Sequence, residues 1–185
     1  MVFLDNSPAL QLIIILILLA LSAFFSSSET ALTTVSHLKL RSLADDGNKK
    51  AKKVLKVTEN SSKLLSAILV GNNIVNISAS ALATTFCTNM FGSKYIGVST
   101  GILTLLVLIF GEISPKTLAT QYALQLSMVV VYPISWLMTL LTPVIFLLNI
   151  LTGAIFKLFR VDPSAKKASI TEAELRTIVN VSHEE

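Results

Sequence analysis

The sequence predicts an all-α membrane protein with three transmembrane helices, a broken, re-entrant helical segment and a basic juxtamembrane helix. Three observations carry this. The residues are 52% hydrophobic and the mean hydropathy is +0.71, more apolar surface than one soluble domain of 185 residues can hide. Charge is confined: between Leu64 and Phe156 only Lys94, Glu112 and Lys116 are charged, and between Asn6 and Leu38 only Glu29 is. Finally, eight of the fifteen basic residues lie between Ser36 and Lys63, the mark of a cytoplasmic loop. A nucleic-acid surface would interleave aromatic side chains with those lysines to stack bases, and the cluster contains none, so no nucleic-acid partner is expected. Cys87, the single cysteine, excludes an intrachain disulfide.

The first element is the run Ala9 to Phe25, close to the roughly 20 residues that span a bilayer. A cleaved signal peptide would need a positive leader, but residues 1–8 hold Asp5 and no Lys or Arg. From His37 to Lys63 apolar Leu38, Leu40, Leu43, Val54, Leu55 and Val57 interleave with lysines and Arg41, a pattern suited to the membrane surface and its lipids. Asp45, Asp46, Gly47 and Asn48 read as a turn dividing this stretch into two short helices. Leu64 to Phe91 forms a second span, followed by a loop at Asn89 to Lys94. Tyr95 to Phe110 is apolar and ends at GEISPKT (111–117). Leu124 to Leu151, carrying Pro133 and Pro143, is the last apolar run before a polar tail with Lys157, Arg160, Lys166 and Lys167.

Charge placement then restricts the topology. Four crossings would set the basic loop and the basic tail on opposite sides, against the positive-inside bias; an odd number keeps them together. Tyr95 to Gln121 is therefore expected as the broken, re-entrant element, with the N-terminus outside and the C-terminus in the cytoplasm. Irregular backbone at that depth is tolerable where protein or a water-filled cavity surrounds it. Residues 1–160 form the transmembrane domain, with 37–63 as its basic juxtamembrane helices. Residues 161–185, with a cap at Ser169 or Thr171 and Glu172 and Glu174 in the first turn, start a cytosolic helical region that breaks off.

Three polar patches interrupt the apolar runs. In GEISPKT, Pro115 cannot donate to the carbonyl of Gly111, and its ring displaces that carbonyl, leaving an oxygen beside Glu112. Gly111 lets another group approach the backbone. An ionised Glu112 in hydrocarbon costs on the order of 3 kcal/mol and demands a partner. Lys116, four residues on, is one candidate; a cation held by Glu112 and the freed carbonyl, as in broken transporter helices, is the other. Ser22, Ser26 and Glu29 share one helical face, with Ser28 beside them, although Ser26 and Glu29 also fit a helix capping box. Gly71, Asn72, Asn73 and Asn76 put three amides within about a turn of an apolar helix, either to bond neighbouring helices or to bind an ion. All these donors are oxygens, which suits magnesium, calcium or sodium; zinc or copper would call for His or Cys, and His37 and His183 lie outside the spans.

FFSSSETAL (24–32), VGNNIVNI (70–77) and FGEISPK (110–116), in this order, resemble the three signatures of the CorC/CNNM (cyclin M) transmembrane domain, a likeness running from about Leu10 to Arg160. The resemblance implies a dimeric magnesium exporter, with cobalt sometimes named, in which sodium entry drives magnesium out. It also implies three spans with a broken segment and a basic juxtamembrane helix. Carried over residue by residue, the magnesium site would draw on Ser26 or Ser28, Asn73 or Asn76, and Gly111 with Glu112. Family proteins usually continue into a helical bundle and nucleotide-binding CBS domains, and the sequence is expected to break off before them.

Energetics favour coupling independently. Moving two positive charges out of an inside-negative cell costs about 4.6 kcal/mol per 100 mV, at about 2.3 per charge, and two entering sodium ions cancel that work. Glu29, Ser22 and Asn72 are the sodium-side polar groups in this reading. The chain is thus expected to be a sodium-coupled exporter and not an enzyme. The alternative is a non-transporting dimeric scaffold that anchors cytosolic regulatory domains. An intramembrane hydrolase built on Ser26 and Lys116 lacks the G-x-S-x-G elbow.

Overall fold

The computed structural model describes residues 8–158 and is helical along almost its whole path. The chain divides into two compact units at Thr142/Pro143. In the first unit α1 (Pro8–Thr34) leads into α2 (His37–Asp45), α3 (Lys49–Thr58) and α4 (Ser61–Phe91). After a 3₁₀ turn at Ser93–Tyr95 come α5 (Ile96–Leu106), a π-helical stretch Val107–Ile113, α6 (Ser114–Gln121) and α7 (Ala123–Leu140). In the second unit the described residues belong to α8 (Thr142–Leu158). Residues 161–185, where the sequence leads one to expect the start of a cytosolic region, lie outside the described residues.

Four helical paths are long and apolar enough to cross a membrane: Pro8–Thr34, Ser61–Phe91, Ser93–Gln121 and Ala123–Leu140. The protein is therefore a multi-pass, all-helical membrane protein. The third path is broken as expected, by the π-helical stretch, where Ser114 N–H donates to the Ile109 carbonyl five residues back. A single-turn widening of this kind inserts extra backbone into a helix and is frequent at functional positions. It does not reverse the chain. Leu103 packs with Ile15, the Gly111 backbone lies against Ser22, and Lys116 reaches Glu29, so this path runs parallel to α1 over about 14 residues, or roughly 20 Å at 1.5 Å per residue. The difference from a re-entrant hairpin has a local cause. Pro115 sits in the first turn of α6, where its missing N–H is tolerated, so helix restarts at once.

The apolar run expected as one span, Leu124 to Leu151, is two helices. α7 ends at Leu141 (φ −84°, ψ 3°), just before Pro143, which cannot donate to Thr139 and disfavours helical backbone at Thr142. Pro133, by contrast, is accommodated inside α7.

The polar stretch after α1 divides where the turn residues stand. Gly47 takes φ +90°, and Asn48 caps α3 by accepting from Lys50 N (2.9 Å) and Ala51 N (3.2 Å). Ser36 caps α2 and Asn60 caps α4 in the same manner. Leu40, Ala44, Ala51, Val54 and Val57 are buried while most of the lysines are exposed. The apolar face of α3 is covered by α2 and α7, and Leu38 stays exposed toward the surroundings.

Candidate ion site between three helices

Close approach of α1 to its two long neighbours is a matter of glycine. A Cβ on Gly71 would stand 2.8 Å from Phe25 Cζ, and one on Gly111 would stand 2.9 Å from Ser22 Oγ. Both glycines let backbone meet side chain at distances no other residue permits, the usual way to bring membrane helices together. Ser22, Ser26 and Ser28 are consequently buried to 1% exposure or less, deep between helices.

Those contacts assemble the polar residues in pairs. Ser22 Oγ donates to Asn72 Oδ1 at 3.4 Å, linking α1 to α4 next to Gly111. Asn76, one turn along α4, donates its amide to Glu112 Oε1 at 3.4 Å. Lys116 Nζ lies 3.3 Å from Glu29 Oε2, joining α6 to α1. The lysine four residues after Glu112 thus engages a different carboxylate, and Glu112 is met by an amide. The capping box at Ser26 and Glu29 does not form, since α1 continues through both residues to Thr34.

Among the described residues two buried side-chain oxygens lack a hydrogen-bond partner: Ser26 Oγ and Asn76 Oδ1. Orphaned acceptors of this kind cost free energy inside a membrane and mark places where an ion or water is wanted. Ser28 differs, because its hydroxyl donates to the Phe24 carbonyl of its own helix at 2.6 Å. Asn73 occupies an exposed flank of α4. A cleft of about 220 Å³ opens beside the pair, lined by Asn76, Ser80, Leu103, Thr104, Leu108 and Glu112. Thr104 and Leu108 escaped the reading of the sequence, though they precede Glu112 by eight and four residues and so share its helical face. Phe25 was missed as well; only the glycine it covers was visible.

Chemically, the cluster offers one carboxylate and several neutral oxygens. Among the described residues no three His, Cys, Asp or Glu side chains come together, so a soft-metal or multi-carboxylate centre is not formed by them. What is formed suits a hard cation held by few charges.

Comparison with known proteins identifies the family. The family model for the cyclin M transmembrane N-terminal domain matches residues 13–185. A UPF0053 protein of Haemophilus influenzae is 44% identical over 144 residues, 72% of this chain and 34% of that protein. The UPF0053 inner membrane protein YfjD of Escherichia coli is 43% identical over 117 residues, 63% of this chain and 26% of its own length. A DUF21 domain-containing chloroplastic protein of Arabidopsis thaliana is 38% identical over 128 residues, 69% of this chain and 19% of its length. The chain spans about a third or less of each of these relatives. With the match covering nearly all of the sequence, the chain belongs to the cyclin M transmembrane N-terminal domain family.

Proposed function

We propose that this domain exports magnesium across the cell membrane by alternating access, with sodium entry as the driving reaction. The observation that carries the reading is the unpartnered Asn76 Oδ1 beside Glu112, with Ser26 Oγ equally unpartnered on the facing helix. Glu112 supplies charge, Asn76 and Ser26 supply neutral oxygens, and the Gly111 carbonyl is the backbone oxygen beside them in this scheme. Of the alternatives in each motif, Ser26 and Asn76 are the ligands assigned, because Ser28 spends its proton on its own helix and Asn73 is exposed. One carboxylate with neutral partners binds a divalent ion loosely enough to release it on the far side. Glu29, Ser22 and Asn72 remain the sodium-side groups of this scheme. Two copies work together as a homodimer, and the long relatives' additional sequence regulates the domain.

The basic helices α2 and α3 support an orientation. Lysine-rich loops stay on the cytoplasmic side, which puts the start of α1 outside.

The test is extrusion of magnesium from loaded cells by the full-length protein. Glu112→Ala and Asn76→Ala each abolish sodium-dependent efflux at unchanged surface expression. Calorimetry on the purified domain then separates a carrier from a scaffold: a scaffold gives no heat with magnesium, and unchanged efflux in both variants removes these residues from the site.

A further inference from the structure

Among the described residues Lys116 is the one cation near the candidate site, and the fold gives it two carboxylates to choose from. Its ammonium lies 3.3 Å from Glu29 on α1. Glu112 stands four residues before it on its own path, the spacing at which helical side chains meet. The path between them contains the end of the π-helical stretch and the start of α6, where small changes of winding alter side-chain register. Glu112 meanwhile accepts a long contact, 3.4 Å, from the Asn76 amide.

We propose that Lys116 is a tethered competitor for the ion at Glu112, and that Glu29 governs the competition by holding the ammonium away. This rests on the assignment of Glu112 as a magnesium ligand. With Lys116 on Glu29, Glu112 is available to the ion. With Lys116 on Glu112, the carboxylate is neutralised from within and the ion leaves. The swap conserves charge near the site, since one carboxylate is always paired with the ammonium while the other is free. Apparent affinity then scales with the fraction of molecules in which the lysine sits on Glu29.

Both ion-pair side chains are near two-fifths exposed, at 44% for Lys116 and 41% for Glu29, so neither choice locks the lysine. That is what a reversible competitor needs.

The experiment is magnesium calorimetry on the purified chain in lipid nanodiscs, with four variants: wild type, Glu29→Gln, Lys116→Met and the double variant. Glu29→Gln releases the lysine and weakens magnesium binding about two- to fivefold, the range expected from a half-exposed pair. Lys116→Met tightens binding by at least the same factor. In the Lys116→Met background, Glu29→Gln has little further effect, because no ammonium is left to redirect. Equal weakening by Glu29→Gln in both backgrounds overturns the proposal, since Glu29 would then act on the ion by its charge alone. So does unchanged affinity in all four, which leaves the pair a structural strut. Wild-type binding that survives Glu112→Ala sinks the underlying site assignment instead, an outcome distinct from either.

Discussion

The two ends of the α1 surface are built on different physics. Near its start Ile15 packs with Ala83 and Leu103, and Leu82, Phe86 and Val107 lean on the cluster. This end is mostly apolar, with Gln11 buried one turn before Ile15, and loosely filled: a cavity of about 320 Å³ lies there, lined by Ile15, Phe86, Cys87, Tyr95 and Ile102 among others. Fourteen residues later Glu29 pairs with Lys116, and between the two ends glycines and serines replace bulk with close backbone approach. In a bilayer lipid tails are as apolar as leucine, so apolar contact gives helices little reason to associate; close packing and interhelical polar bonds do. The tight, polar half of α1 is therefore where the helices are held in register, and it is also where the candidate ion site lies.

The sharpest way to break this contrast is at Gly111. A Cβ there meets Ser22 Oγ at 2.9 Å and Ser22 Cβ at 3.3 Å, atoms of a buried side chain too short to swing away. Gly111→Val should cost about 1–3 kcal/mol, as overpacking does, and displace the backbone next to Glu112. Thermal inactivation followed by size-exclusion chromatography reports the loss, and calorimetry reports the missing magnesium heat. At Gly71 the obstruction is the far end of the Phe25 ring, at 2.8 and 2.9 Å, which can rotate by a few tenths of an ångström. Gly71→Ala should cost closer to 1 kcal/mol, and adding Phe25→Leu should restore most of it. If Gly71→Ala proved the worse of the two, side-chain adaptability would not be what separates them.

Truncation at the apolar end sharpens the same point from the other side. Leu103→Ala removes contacts beside a cavity that already exists, and lipid tails can occupy the vacated space. The hydrophobic term that makes such changes severe in water is missing, so the loss should stay below about 1 kcal/mol. A drop as large as that of Gly111→Val would show that this end also holds the helices together.

Much of the fold was legible because its causes are local. Runs of apolar residues without charge marked the helices, the Asp45–Asn48 turn divided α2 from α3, and Pro115 with Gly111 pointed to a broken helix. The break took the form of a π-helical widening because proline is tolerated in the first turn of a restarting helix, and nothing in the pattern distinguishes that from a reversal. The division of α7 from α8 was written in Pro143 but masked by an unbroken apolar composition. Partners across helices were the least legible. Spacing of four paired Lys116 with Glu112 on paper, whereas the structure pairs it with Glu29. Interhelical register decides that choice, and register is set by Gly71 and Gly111 against Phe25 and Ser22, which no single-helix periodicity encodes.

The smallest effect is expected from the most conspicuous contact. Lys116 and Glu29 are each about two-fifths exposed, and ion pairs of that kind contribute little, because holding two long side chains in one geometry offsets most of the attraction. Removing the pair with Lys116→Met and Glu29→Gln together should shift stability by no more than about 0.5 kcal/mol, measured as for the glycine variants. A double-mutant cycle isolates the pairwise part, which should be smaller than the change produced by Gly71→Ala. A coupling above about 2 kcal/mol would place a principal fastener of α1 and α6 in the ion pair. The glycine contacts would then be secondary, and the contrast between the two ends of α1 would rest on charge instead of on close packing.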